Sequence, residues 1–311
     1  MTTPAGSAAQ PGGAPPWLIT AMPAVFVLIW SSGFVVARLG MPHAPPLTFL
    51  AWRYAGSLLA FSVWVAISRP AWPRNRAQWL HLAVTGALMH AGYLGGVWAA
   101  VKAGLSAGTS ALIVGLQPVL TALWIAYSGQ EQRLSRVQWL GLALGFCGVL
   151  LVVWRKLGLG EVTAWNFGLA IFALLSITVG TLYQKRHVLP CDVRTANLVQ
   201  LLTALLITAP LALLETESIQ LEPGFFAAMA WAVLVSTVGG SSLLYMLIAR
   251  GAASRVTSLF YLTPPCTALM AWLLFREPLS VLTLAGLVLT ALGVWLVVRD
   301  PGRTVEPGAA A

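Results

Sequence analysis

The sequence predicts an all-α integral membrane protein of ten transmembrane helices, arranged as two inverted five-helix repeats. Three observations predict it. First, 58% of the 311 residues are hydrophobic and 9% are charged, where a soluble domain usually carries about 25% charged residues. Second, the apolar runs recur at close to the ~20 residues an α-helix needs to cross a bilayer core. Third, the chain repeats itself. With Pro118 laid on Pro264, Leu116 meets Leu262, Thr121-Ala122-Leu123 meets Thr267-Ala268-Leu269, and Glu131 meets Glu277. After a one-residue slip, Gly141 meets Gly286 and Gly148-Val149 meets Gly293-Val294. Five spans per half is an odd number, so the second half inserts upside down relative to the first.

The spans read as Leu18–Val36, Leu47–Ile67, Trp79–Ala99, Ala107–Tyr127, Gln138–Trp154, Trp165–Tyr183, Leu198–Leu214, Phe225–Ala249, Val256–Phe275 and Val281–Val298. Five segments follow: a small-residue, Pro/Gly-rich N-terminal tail (1–16) expected to be disordered, a first repeat (17–155), an external linker (156–164), a second repeat (165–299) and a cytoplasmic tail (300–311). No basic start precedes the first span, which reads as an uncleaved anchor.

The net charge of +9 reflects orientation rather than affinity for nucleic acid. Arg69, Arg74, Arg76, Arg133, Arg136, Lys185, Arg186, Arg194, Arg250, Arg255, Arg299 and Arg303, twelve of the eighteen basic residues, fall in one set of alternate loops. The positive-inside rule makes that set cytoplasmic, with both termini. The acidic loop Glu215–Glu222 then faces outside, and Arg155-Lys156 goes against the rule. The three cysteines, Cys147, Cys191 and Cys266, lie apart with neither a disulfide framework nor metal-ligand spacing. No metal and no cofactor are expected.

Taken in order, span one carries Trp30 and Ser31 within a Trp-Ser-Ser-Gly string, read either as small-residue packing or as cavity lining. Span two carries Arg53 with no carboxylate nearby in sequence. It either snorkels to the interface or points inward to bind a substrate carboxylate or several backbone carbonyls. Span three carries His90 at mid-depth, followed by Tyr93 and the Gly95-Gly96 patch. A histidine there can be packed or can bind and carry a proton, which makes His90 the proton-coupling candidate. Span four has Gln117-Pro118, and span nine has Thr263-Pro264-Pro265 at the equivalent place. Proline removes a helical N–H and displaces a carbonyl one turn back. The carbonyls of Phe260 and Tyr261 are therefore expected to be freed, and Pro118, Pro264 and Pro265 to break helices that wall a polar cavity. Tyr261, Thr263 and Gln117 join the candidate binding residues, as does Tyr245 of span eight. Spans five and ten read as packing helices: Gly141 and Gly145 form a GxxxG pattern that places a seam within the bundle or between two copies.

Several of these strings carry a family resemblance. Trp30-Ser31-Ser32-Gly33-Phe34, Pro46-Leu47-Thr48-Phe49 with Arg53-Tyr54, Leu116-Gln117-Pro118, Gln138-Trp139-Leu140-Gly141, Gln184-Lys185-Arg186, and Phe260 to Pro264 followed by Glu277-Pro278-Leu279 occur in order over nearly all of Trp17–Arg299. In this the chain resembles the drug/metabolite transporter superfamily, specifically its EamA-type ten-helix permeases. One departure is the turn Gly129-Gln130-Glu131-Gln132-Arg133-Leu134, where the family usually has a tight Gly-Glu-Arg-Leu. The resemblance implies export of amino acids or related metabolites and location in a bacterial inner membrane.

No HExxH, GxSxG or paired intramembrane aspartates support an enzyme. The inventory of one arginine, one histidine, an amide, hydroxyls and aromatics suits a small neutral or zwitterionic metabolite such as an amino acid. A nucleotide-sugar or sugar-phosphate carrier, which needs several cations, and a non-transporting scaffold or sensor are the alternatives. The expected mechanism is alternating access, either as a facilitator running down a concentration gradient or with weak proton coupling through His90, with spans one, three and four facing six, eight and nine across the cavity. The expected partners are a small-molecule substrate and the lipid bilayer, with no nucleic acid, the chain acting as monomer or homodimer.

Overall fold

The computed structural model describes residues 16–128, 134–249 and 260–299. The turn holding Glu131, the side chain of Tyr245 and nearly all of both tails lie outside the described residues. Within them the chain is helical throughout, and nine helices are long and apolar enough to cross a membrane. A tenth, Phe260–Phe275, is shorter. Starts are marked by residues that satisfy orphan N–H groups at helix ends. Asn75 accepts from Gln78 N, Ser135 and Thr163 each close a reciprocal capping box, and Asp192 accepts from Arg194 N. Glu215 reaches across from the other repeat to accept from the N–H groups of Leu47 and Thr48 at 3.0 and 2.7 Å, capping span two. Glu277 caps span four in the same way through Ala107 N at 3.4 Å. A carboxylate at a helix N-terminus also meets the positive end of the helix dipole.

The inverted repeat sets the packing. Span five (Arg136–Gly158) lies on span ten (Val281–Arg299), span two (Pro46–Ser68) on span seven (Val193–Ala212), and span four on span nine. Span three packs on span six (Ala164–His187), and in mirrored fashion span eight packs on span one (Pro16–Gly40). Lipid offers no hydrophobic drive between helices, so close backbone approach does much of the work. Glycine makes it possible in the seam between spans five and ten. A β-carbon at Gly141 would lie 2.7 Å from Gly293 O, and one at Gly148 would lie 2.5 Å from Gly286 O. The GxxxG pattern is spent inside the bundle.

Four spans are interrupted, in two symmetric pairs. Span four divides into Ala107–Val114 and Gln117–Tyr127, with a turn at Gly115-Leu116. Span nine carries a 3-10 turn, Phe260–Leu262, ahead of the helix Thr263–Phe275. Pro118 and Pro264 thus sit in the first turns of new helices, where a missing N–H has no intrahelical partner to lose. The second pair has no proline at its interruptions. Span three runs Arg76–Gly86, then six π-helical residues Ala87–Gly92, then Tyr93–Lys102. Span eight runs Pro223–Ala230, nine π-helical residues Trp231–Gly239, then Gly240–Ala249. With the offset that lays Pro118 on Pro264, the first widened segment falls inside the second.

One face of the bundle is tied shut by ionic and backbone contacts between the repeats. Lys102 Nζ meets Glu217 Oε2 of the other repeat at 2.5 Å and Met41 O of its own at 3.2 Å, and Gln220 N donates to His43 O at 2.7 Å. Lys156, against the charge rule in sequence, is buried on this face with Glu161 Oε2 and Ser106 Oγ each at 2.7 Å. Lys102 and Lys156 are each neutralised by a local carboxylate, so the face carries less net positive charge than its basic residues suggest.

Candidate functional site

A cavity of about 510 Å³ lies between the repeats, within the ~300–1,000 Å³ typical of small-molecule sites. Its described walls come from spans one, two, three, six, seven and eight and from Val188–Cys191 between spans six and seven. The sequence reading of the walls used spans four and nine in place of two and seven, and no described residue of span four or nine lines this cavity. The reason is packing: the proline breaks meet each other rather than open onto the cavity. A β-carbon at Gly115 would lie 2.7 Å from Pro264 Cγ, and one at Gly108 would lie 3.5 Å from Ala268. The two breaks let span four and span nine nest together.

Of the residues singled out in sequence, Trp30, Arg53, His90 and Tyr93 line the cavity. Trp30 stands in an aromatic stack with Phe26 and Phe260, at centroid distances of 5.9 and 5.4 Å. Arg53 is buried at 8% exposure. Its Nε and Nη2 donate to Thr237 Oγ1 at 3.4 and 3.2 Å, and its Cζ lies 5.8 Å from the Trp98 ring centroid. Among the described residues no carboxylate pairs with it. His90 sits in the widened turn of span three. Its carbonyl accepts from Tyr54 OH at 2.8 Å, and its Nε2 lies 3.3 Å from Gln200 Oε1.

The other candidates lie elsewhere. Ser31 is fully buried, and its carbonyl accepts from Thr267 Oγ1 at 3.2 Å, joining span one to span nine. Gln117 Nε2 donates to Thr181 Oγ1 at 2.9 Å, joining span four to span six. Tyr261 packs at the edge of the apolar cluster formed around spans four, five, nine and ten. Thr263 is buried beside Pro264. The Gly95-Gly96 patch divides: Gly96 is held close to span six, where a β-carbon would lie 2.9 Å from Leu169 O.

The lining also holds polar residues outside the candidate binding set read from sequence: Gln184, Asn197, Gln200, Ser236 and Thr237. Ser241 lines the cavity too, with its Oγ donating to Asn197 Oδ1 at 3.4 Å. Gln200 had a signal. It is an amide in the apolar run Leu198–Leu202, the same cost that singled out Gln117. Thr237 had none, because a lone threonine in a membrane helix commonly bonds its own backbone.

The basic-loop end of the cavity is bordered by Leu189, Pro190 and Cys191. Burial pushes the Cys191 thiol above its ordinary pKa. Asp192 beside it is held below the ordinary carboxylate range, chiefly by the side-chain hydrogen bond from Arg194. Trp98 of the lining is backed by Phe49 and Phe225, with the Trp98 and Phe225 centroids 4.6 and 5.5 Å from that of Phe49.

Similar proteins fit this architecture. The chain is 27% identical over 280 residues to a "probable amino-acid metabolite efflux pump" of Salmonella typhimurium, covering 87% of this chain and 91% of that one. It is 25% identical over 284 residues to an "uncharacterized inner membrane transporter" of Escherichia coli, covering 88% and 90%. A solved structure titled only "Crystal structure of protein" shares the fold, with a TM-score of 0.63, 16% identity and coverage of 90% of this chain and 96% of that one. A sequence model of the EamA-like transporter family matches residues 16–154 and again 164–299. With both matches tiling the two repeats, the chain is a multi-pass membrane protein and belongs to the EamA-like transporter family.

Proposed function

We propose that this protein is a secondary transporter of the inner membrane that exports a small neutral or zwitterionic metabolite, such as an amino acid, by alternating access. One observation carries the reading: the cavity between the repeats holds a buried arginine with no carboxylate partner among the described residues, in a lining otherwise neutral. An unpaired buried charge is costly unless a partner arrives. A substrate carboxylate supplies that partner, and Arg53, Trp30, His90 and Tyr93 are the side chains assigned to the substrate. A nucleotide sugar or sugar phosphate calls for several cations, and the described lining has one.

The basic loops put both termini and the cavity's Leu189–Cys191 end in the cytoplasm. The ties of Lys102, Glu215 and Gln220 then close the external side, a state ready to load from within. Rocking of the repeats breaks those ties and exposes the cavity outside. His90 is the proton-coupling residue in this scheme. The names of the relatives support export of amino-acid metabolites, since 87% of the chain aligns with a protein so described.

The test is untargeted mass spectrometry of culture medium from cells producing wild type or Arg53→Ala at matched membrane abundance. A metabolite enriched outside only with wild type is the expected result and identifies the substrate. Identical media and cell contents for both would sink the exporter reading.

A further inference from the structure

The second helix of each repeat reaches across to the widened turn in the third helix of the other. Arg53 of span two bonds Thr237 of span eight. Gln200 of span seven meets His90 of span three. The repeat offset lays Tyr54 on Gln200, His90 on Ser236 and Ala91 on Thr237, so the two braces lie one residue apart in the repeat, at neighbouring rather than identical positions. Their chemistry does not match. One ends in a cation and the other in a neutral amide, so the cavity is polar in one direction.

The hydrogen-bond inventory of each brace is restrictive. A threonine hydroxyl has one donor and two acceptor positions. Thr237 Oγ1 spends its donor on Ala232 O at 2.8 Å, five residues back along the π-helical segment. Only acceptor positions remain, and Nε and Nη2 of Arg53 occupy them. The guanidinium is thereby held by one edge over the Trp98 ring. Its Nη1 has no hydrogen-bond partner among the described residues, and an arginine edge of this kind matches a carboxylate in a fork. On the other brace, with Nε2 protonated, His90 donates to Gln200 Oε1 and leaves a second lone pair on that oxygen for a donor in the cavity.

We propose that the two braces read the two ends of one substrate: Arg53, positioned by Thr237, takes a carboxylate, and Gln200 Oε1 takes an ammonium group. The inference rests on the amino-acid reading above. It adds the orientation of the substrate and two residues that set specificity for zwitterions. Thr237 is a positioning residue that acts through Arg53, and Gln200 is a direct contact.

The experiment measures binding to the purified full-length protein in detergent. The twenty proteinogenic L-amino acids are screened by thermal shift. The tightest binder is then compared by calorimetry with its carboxamide, which lacks the carboxylate, and its N-acetyl derivative, which lacks the ammonium. In wild type both derivatives should bind about tenfold more weakly or worse, the loss expected when one charge-assisted hydrogen bond is removed. Thr237→Val should weaken the amino acid about tenfold while leaving the carboxamide unchanged, and Thr237→Ser should restore the wild-type ratio. Gln200→Leu should erase the preference for the free amine over the N-acetyl form and keep the preference for acid over amide. Each ratio is read within one variant, so a general loss of folded protein cancels. Equal weakening of acid and amide in Thr237→Val, or no rescue by serine, makes Thr237 a structural residue and overturns the inference. So does an amine preference that survives Gln200→Leu. If wild type binds amino acids but neither substitution alters selectivity, this inference alone fails. If wild type binds none of them, the reading beneath it fails as well.

Discussion

Two kinds of helix interruption occur in this molecule, each present twice, and they do opposite things. The proline breaks of spans four and nine face each other across the pseudo-twofold axis, in contact through Gly115 and Pro264. The π-helical segments of spans three and eight carry no proline and line the cavity with His90, Ser236 and Thr237. A proline break shortens two helices so that they can nest. A widened turn keeps the helix continuous but adds a residue to it, which shifts the phase of the side chains that follow and re-aims backbone carbonyls. The first device lets two helices nest and the second lines the cavity. The most conspicuous irregularity in a membrane sequence is therefore not by itself a cavity wall.

Substitutions can break or sharpen that contrast. The largest effect on folding is expected in the glycine seam beside the proline breaks. Gly148→Leu drives a side chain into the Gly286 carbonyl, and overpacking of this kind costs about 1–3 kcal/mol or more. Size-exclusion profiles and thermal midpoints should show loss of the monodisperse folded protein. Normal profiles would mean that spans five and ten are not in close contact.

Arg53→Gln acts on the cavity side of the contrast. The protein should fold, while export of the metabolite identified by mass spectrometry falls about a hundredfold, since truncating one partner of a buried charge contact costs about 2–5 kcal/mol. Undiminished flux would remove Arg53 from the site. His90→Gln should have a smaller effect, several-fold in rate, with the response of vesicle transport to an imposed proton gradient abolished. Transport and gradient response both intact would exclude His90 as the coupling group.

Gln117→Ala tests the packing side. Losing its bond to Thr181 should lower stability by about 1 kcal/mol and leave apparent substrate affinity unchanged. A selective loss of affinity would return span four to the site. The smallest effect concerns Asp192. Arg194 holds its folded pKa below the ordinary carboxylate value of about 3.9, so its stabilisation is present above that value and is lost as pH falls through the folded one. Asp192→Asn keeps a capping side chain but loses the ion pair. Its thermal midpoint should lie slightly below that of wild type at neutral pH, and the two should converge under acid. A gap that persists once Asp192 is protonated in the folded protein would rule out the ion pair as its source.

What the sequence by itself determined is the architecture. Length and apolar density of the runs, the doubled Leu-x-Pro strings and the glycines of spans five and ten are local or periodic properties, and they are legible because a bilayer forces backbone bonds to close within each helix. The same logic found Arg53 and His90, since charge and imidazole are rare at membrane depth. Gln117 and Gln200 show where it stops. Both are amides in apolar runs, yet one bonds Thr181 between packed helices and the other faces the cavity at His90. Which of them meets solvent-filled space depends on how helices from distant parts of the chain nest. The π-helical turns left no trace in residue type because their geometry is set by contacts such as Tyr54 to the His90 carbonyl and Arg53 to Thr237. Those contacts join residues 36 and 184 positions apart, and only the tertiary structure brings them within reach.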